Sequence, residues 1–330
     1  MVRSLLLILP LAALMLPRAQ AQQSAESTAV PFLLIAPDAR SAGLGDIGTA
    51  SAPDVYAMHW NAAKYAFMPS RKGIGLTYTP WLRQLSEDQY LLYLPGFAKL
   101  GRRQTLAASV KYFSMGEYLL TDGMGASEMP YTPNEWSVDA AYIRELFDFL
   151  SAAVSFRLLH SGLKAVDFFE GNDNASFGLA TDVSFYYRYP LFNENELSAG
   201  ITLANLGPEM NYGGHTVPLP TLLRLGASYG ILREGARFSF MGELSRLLAR
   251  ADDPGNLYAA AVGIECAFSE RFMLRGGYHH EKHRPYFTAG LGFGIKGLTV
   301  DFSYLRSPEP TDPLQNTLRV GLSYTITRVE

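Results

Sequence analysis

Residues 317–327, Thr-Leu-Arg-Val-Gly-Leu-Ser-Tyr-Thr-Ile-Thr, put Leu318, Val320, Leu322, Tyr324 and Ile326 on one face of an extended chain. Thr317, Arg319, Gly321, Ser323, Thr325 and Thr327 fall on the other. This is a period of two, the mark of a strand whose two faces meet different surroundings. Working back along the chain, residues 286–296 set Phe287, Ala289, Leu291, Phe293 and Ile295 against Thr288, Gly290, Gly292, Gly294 and Lys296. Residues 257–268 set Tyr258, Ala260, Val262, Ile264, Cys266 and Phe268 against smaller or polar neighbours. Cys266 is the only cysteine, so no intrachain disulfide forms, and on the apolar side of its strand it is expected to pack as a small hydrophobe rather than act as a reactive thiol.

The same formula predicts about fourteen strands, at 73–79, 88–96, 104–113, 135–144, 149–160, 175–188, 195–205, 221–230, 236–245, 257–268, 271–279, 286–296, 298–306 and 316–328. The fold class is therefore all-β. Alternation also occurs in soluble sandwiches, but three features favour a transmembrane barrel. Several strands have the length of about 9–11 residues that crosses a bilayer at a tilt. Aromatic residues recur toward strand ends, as at Phe185, Tyr186, Tyr187, Tyr189, Tyr229, Tyr278 and Tyr304. The connections also alternate in length. Ser114–Asn134, Ser161–Asn174, Leu206–Pro220 and Arg246–Asn256 follow odd-numbered strands, whereas the others shrink to the single Gly297. Long outer loops and short periplasmic turns produce that asymmetry. The exported N-terminus and whatever fills the lumen are expected to start on the periplasmic side, with the first strand running outward.

The expected inner face carries Arg157, Asp182, Arg224, Glu243, Glu265, Arg275, Asp301 and Arg319. Such charges are costly against lipid and tolerable in a polar lumen, and their mixed signs favour cross-barrel ion pairs over a selective ring. Overall, 28 basic against 31 acidic residues leave a formal charge of -3, which excludes the basic field that nucleic acid requires.

The N-terminus has Arg3, an apolar run from Leu5 to Leu16 and Ala19-Gln20-Ala21, the order of a cleaved secretory signal over residues 1–21. Residues 22–72 lack strand periodicity and precede a barrel over 73–330. Their centre, Pro37–Phe67, is crowded with Gly, Ala, Ser and Asp and is predicted to plug the lumen. In this stretch Ala39, Arg40, Gly43, Gly45, Asp46, Asp54, Ala57, Trp60, Asn61, Ala62 and Ala63 resemble the N-terminal signature of FadL-like outer-membrane barrels, and APDARSAGLGDIGTAS is most similar to the PorV family. Two positions depart from that pattern, Ala62 where the family has Pro and Lys64 where it has Gly, and the chain's end lacks the terminal aromatic common in such barrels.

The resemblance implies a non-enzymatic outer-membrane component of the type IX protein secretion system. Such a protein binds the translocon barrel and cargo C-terminal domains, and passes cargo to a surface attachment complex containing a sortase-like protease, among outer-membrane lipid. The rival is a FadL-type channel for long-chain fatty acids or other hydrophobic compounds.

No catalytic, cofactor or metal set can be singled out. Gly43-Leu44-Gly45-Asp46-Ile47-Gly48 spells a dinucleotide motif, but a Pro-Asp-Ala-Arg segment enters it and Pro53 follows, where a strand and a helix are needed. The glycines are better read as sites of close backbone approach. His279-His280-Glu281-Lys282-His283 is not HExxH and falls at a strand end. The plug candidates are thus Arg40, Gly43, Gly45, Asp46, Trp60 and Asn61. In the outer loops Tyr118, Met124, Met129, Tyr131, Met210 and Tyr212 make an apolar, adaptable set. Partner binding and simple closure over the barrel mouth both account for them.

Overall fold

The structure, a computed structural model, describes residues 28–83, 88–121, 128–163, 175–248, 258–269, 271–281 and 284–326. The expected signal sequence, Met124, Lys282 and His283 lie outside these residues.

Fourteen antiparallel strands close into one barrel. In order they are β1 (Lys72–Pro80), β2 (Tyr90–Lys99), β3 (Gln104–Ser114), β6 (Asn134–Phe147), β7 (Leu150–Ser161), β8 (Ser176–Pro190) and β9 (Glu196–Leu206). Then come β12 (Leu222–Arg233), β13 (Ala236–Leu247), β14 (Tyr258–Phe268), β15 (Phe272–Glu281), β16 (Tyr286–Ile295), β17 (Leu298–Arg306) and β18 (Thr317–Ile326). Closure is made by β1 against β18, with Leu76 opposite Leu322. Two hairpins outside the barrel sheet, β4 (Tyr118–Thr121) with β5 (Glu128–Tyr131) and β10 (Met210–Tyr212) with β11 (His215–Val217), lie in the long loops.

The barrel is turned inside out relative to a soluble protein. Apolar side chains line the outside, with Phe156 66%, Val262 60% and Ile295 66% exposed, whereas Arg319 is 2% exposed on the inside. Cys266 shares the outer, half-exposed face of β14. An outer surface of this kind suits hydrocarbon, where a charged side chain near the midplane costs about 2–4 kcal/mol. The short turns are tight, as at Lys296 and Gly297, whose φ of 50° and 86° give the twist that joins β16 to β17. Between β1 and β2 the register passes from Ile74 opposite Gly96 to Thr77 opposite Tyr93 across Pro95, which has no N–H to donate.

Residues 28–71 lie inside this wall and descend its whole height. Their first residues sit at the long-loop end, where the Ala29 amide donates to the Pro218 carbonyl (2.9 Å) and Phe32 and Leu33 pack with Leu91, Phe113, Leu159, Met210 and Leu219. The turn α1 (Ala39–Ala42) touches β16, β17 and β18. A second turn, α2 (Ala57–Trp60), leads to the 3-10 helix Ala62–Phe67, which packs on β3, β6, β7 and β8 at the short-turn end. There Lys99 Nζ caps the carbonyls of Ala66 (3.0 Å) and Met68 (2.5 Å), and Arg71 donates its amide to Ile326 as β1 begins. The first strand does run from short-turn to long-loop end, but the lumenal segment enters its described course at the outer mouth, opposite to expectation. Its apolar Phe32 and Leu33 pack into a matching cluster there.

Candidate functional site: the filled lumen and its mouth

Asp38 organises the lumenal segment. Its carboxylate accepts from the Ser41 amide (2.8 Å), capping α1, and from Trp60 Nε1 (2.6 Å), which ties α1 to α2. Full burial, with Asp54 adding to it, raises its pKa to about 6 although both hydrogen bonds pull the other way. Asn61 serves the next turn: Oδ1 accepts from the Ala63 amide (3.1 Å), while Nδ2 donates to Thr49 O (3.0 Å) and to Phe185 O on β8 (2.9 Å). One side chain thus caps the 3-10 helix and fastens it to the wall.

Arg40 is the hinge between the lumenal segment and the lumen charges. Nε and Nη2 fork onto Glu265 at 3.0 and 2.9 Å, and Nη1 donates to Asp54 (2.7 Å) and Ala52 O (3.0 Å). Glu265 in turn accepts from Arg275 (2.7 Å), which also reaches Asp301 (2.6 Å). Lys64, fully buried, lies 3.8 Å from Asp54 and donates to Gly48 O and Ser51 Oγ. Asp54, Arg40, Glu265, Arg275, Asp301 and Lys64 form one network with three charges of each sign. Burial pushes the Lys64 ammonium down against the pull of Asp54, whereas Glu265 and Asp54 outweigh burial at Arg40 and keep its guanidinium charged.

A second set joins Arg157 to Asp139 on β6, Asp182 on β8 and Asn205 on β9. Asn205 has a φ of 60° at an irregularity in the β8–β9 ladder and donates its amide to Asp182 (2.7 Å). In a third, Glu243 accepts from the amides of Gly48 (3.0 Å) and Thr49 (2.9 Å) and faces Arg224 at 3.9 Å, while Arg224 stacks over the Trp60 ring. The expected mixed-sign pairing therefore runs along neighbouring strands and into the lumenal segment, not across an open bore. Arg319 differs from the other seven lumen charges: among the described residues its Nε and Nη1 have no hydrogen-bond partner.

The glycines of the dinucleotide-like motif follow α1 instead of opening a helix, and the Gly48 amide is taken by Glu243. Gly45 has a φ of 82°, and a Cβ there would lie 3.1 Å from the Tyr278 backbone; at Gly43 it would lie 3.0 Å from the Gly290 Cα. Asp46 accepts from the Tyr286 hydroxyl (2.5 Å). His279 and His280 fall on opposite faces of β15, His279 stacked on Tyr286 and close to Gly45 O, His280 beside Tyr278.

Below Trp60, His59 is buried with its Nδ1 3.1 Å from Lys111 Nζ. Burial first, then Lys111, Arg224 and Arg157, hold the imidazole neutral. Sequence reading missed Asp38, His59 and Lys111; of these only Asp38, as a cap before Ala-Arg-Ser, left a local signal.

At the mouth the two hairpins behave differently. β4–β5 projects Tyr118 (47% exposed) and Leu119 (59%), with Tyr131 opposite Tyr118 and donating its hydroxyl to Gly162 O. Met129 lies on β5. β10–β11 instead turns inward: Met210 is 1% exposed, buried with Leu219, and Tyr212 packs beside it. Met210 thus takes part in closing the barrel mouth. Its side chain fills the space over Gly178, where a Cβ would come within 2.8 Å.

Comparison with known proteins adds the following. The family model described as "Type IX secretion system protein PorV" matches residues 18–253. Among solved structures, the toluene transporter TodX of Pseudomonas putida superposes with a TM-score of 0.58 at 12% identity, covering 88% of this chain and 98% of that one. The toluene transporter TbuX of Ralstonia pickettii gives 0.53 at 12% identity, over 87% and 97% of the two chains. The monoaromatic hydrocarbon channel CymD gives 0.52 at 13% identity, over 90% and 99%. At such identities the likeness is one of fold. No curated protein matches the chain.

Proposed function

Because this chain belongs to the PorV family, and is an outer-membrane barrel of the type IX secretion system and not an enzyme, we propose that it handles cargo on the outer face through the β4–β5 hairpin. The proposed partners are the translocon barrel, the C-terminal domains of exported cargo and the surface attachment complex with its sortase-like protease. Residues 1–21 act as the cleaved signal, and Arg40, Gly43, Gly45, Asp46, Trp60 and Asn61 hold the plug in place. The observation that carries this reading is the contrast at the mouth. One hairpin turns its apolar side chains inward to close the lumen, whereas the other leaves Tyr118 and Leu119 exposed. Exposed aromatic and aliphatic groups of that kind are the anchors that dominate protein interfaces.

Replacing Tyr118 and Leu119 together with Ser tests it. The barrel should still migrate differently on gels when boiled and unboiled, and recovery of the translocon and of cargo C-terminal domains in pull-downs should fall by about tenfold or more, as loss of one or two anchors implies. Unchanged partner recovery together with lost uptake of hydrophobic compounds would replace the secretion reading with that of a FadL-type channel.

A further inference from the structure

The outer wall holds an open recess of about 550 Å³ toward the short-turn end, across β2, β3, β6 and β7. Its floor is a row of small side chains on adjoining strands, Gly96 opposite Ala108 and Ala108 opposite Ala140. Leu106, Tyr142 and Phe156 rise around that row. They are 45%, 44% and 66% exposed, so the recess opens to hydrocarbon and not to the lumen. The ladders of β2, β3, β6 and β7 run through it without a shift, and behind it Phe97, Ala107 and Ala141 pack with Ala62 and Tyr65 of the lumenal segment. The recess is therefore a dent in a closed wall, not a passage through it.

Below the recess the same outward face turns basic. Lys72 stands opposite Ala98, and Arg144 lies two residues beyond Tyr142 on β6, about 7 Å along the strand. Arg102 lies between them in the β2–β3 turn. All three are exposed, and among the described residues none has a carboxylate partner, whereas Arg103 beside them is held by Glu145 (3.7 Å) and Asp148 (2.9 Å). Long basic side chains placed where an apolar wall ends lay their stems on it and carry their charge into the head-group layer, here that of the periplasmic leaflet.

An empty dent in hydrocarbon forfeits dispersion contacts along its lining. The convex wall of another barrel spans such a dent without entering it, whereas a flexible acyl chain lies along a row of Gly and Ala. Three uncompensated cations then select, by charge, the head group at the end of that chain. We propose that the recess binds one anionic phospholipid of the periplasmic leaflet, an acyl chain seated over Gly96, Ala108 and Ala140 and the phosphate held among Lys72, Arg102 and Arg144. On the lumenal side of the same hairpin Lys99 caps the carbonyls of Ala66 and Met68, so the lipid and the lumenal segment grip one hairpin from its two faces. The site lies at the opposite end of the barrel from the β4–β5 hairpin and is independent of the role given to that hairpin.

The test uses full-length protein in uncharged detergent, titrated with dioleoylphosphatidylglycerol or dioleoylphosphatidylcholine and read by native mass spectrometry. The two lipids share their chains and differ in net charge. Each basic residue near an anionic membrane surface is worth about fivefold. The expected result is one phosphatidylglycerol retained about tenfold or more tightly than phosphatidylcholine. Lys72→Gln, Arg102→Gln and Arg144→Gln, all at exposed positions, should each reduce that preference by about fivefold or less, and the three together should erase it. Ala108→Phe fills the recess from the lipid side with every cation in place, and should abolish the one-to-one adduct while the unboiled gel form persists. Ala140→Phe serves if Ala108→Phe does not fold. Glycerol 3-phosphate, the same anion without chains, should not compete. Equal retention of the two lipids, a preference that survives the triple variant, an adduct that survives both Phe substitutions, or full competition by glycerol 3-phosphate would overturn the proposal. So would a dimer of this chain that carries no lipid and is dissolved by Ala108→Phe, which would give the recess to a second copy.

Discussion

Replacing Arg40 with Met removes the guanidinium that holds the lumenal segment to the C-terminal strands. Four hydrogen bonds go at once, two to Glu265, one to Asp54 and one to Ala52 O. Breaking a buried ion pair by removing one partner costs about 3–5 kcal/mol. The lower end applies here, because Glu265 keeps Arg275 at 2.7 Å and Asp54 keeps Lys64 at 3.8 Å and the Tyr56 amide at 2.8 Å. About 3 kcal/mol corresponds to a roughly hundredfold increase in local opening. Amide hydrogen exchange of peptides covering residues 38–56, in detergent micelles, reads that opening directly. Glu265→Gln should give a similar change. In the double variant Asp54 is left with Lys64 and Arg275 with Asp301, so its effect should fall short of the sum by about 1–3 kcal/mol. Exchange accelerated less than about threefold in both single variants, or a strictly additive double, would show that the network does not hold the segment.

Three further outcomes follow from the same geometry. The folded pKa of Asp38 lies above its unfolded value, about 6 against 3.8, so between those limits the folded state binds more protons and stability falls as pH rises. Asp38→Asn should remove that slope from exchange of the α1–α2 region, worth at most ~3 kcal/mol, and an unchanged slope would locate it in another group; His59, held neutral, acts in the opposite sense, so the variant must be compared with wild type at each pH. Gly45→Val places a Cβ against the Tyr278 backbone at a φ of 82°, costing of order 1–3 kcal/mol or more, and should lower the temperature at which the unboiled gel form is lost; heat resistance equal to wild type would mean the segment does not press on the wall. Trp60→Phe strips one donor from the buried Asp38, at about 1–3 kcal/mol, and should speed exchange in α1 as well as α2, with α2 alone affected if the Trp60 to Asp38 bond does not couple them.

The barrel was legible because lipid outside and a polar lumen inside impose period two on every strand. In β18 the alternation of Leu318, Leu322 and Tyr324 with Arg319, Gly321 and Ser323 becomes outside and inside without exception. Boundaries held to within a few residues since long loops and tight turns flank each strand. β10–β11 could have been found, for Met210-Asn211-Tyr212 and His215-Thr216-Val217 flank Gly213-Gly214, a hairpin turn signal. The inward fold of that hairpin could not, because it depends on Phe32 and Leu33, far away in the chain. The path of residues 28–71 was illegible for the same reason: no local period governs it, and its position is set by contacts such as Arg40 with Glu265 that span most of the sequence.

Those long spans bear on how the molecule is made. The lumenal segment leaves the ribosome early, yet part of its seat is built from the strands that leave last: α1 rests on β16, β17 and β18, and Arg40 waits for Glu265, Arg275 and Asp301. Contacts of such high sequence separation form late in folding, after the costs of loop closure have been met. A chain that stopped short of β16 would lack the strands on which α1 rests. Completion of the wall and docking of α1 are therefore coupled, and a barrel truncated before β16 should betray itself by an undocked, protease-accessible stretch around Ala39–Ala42.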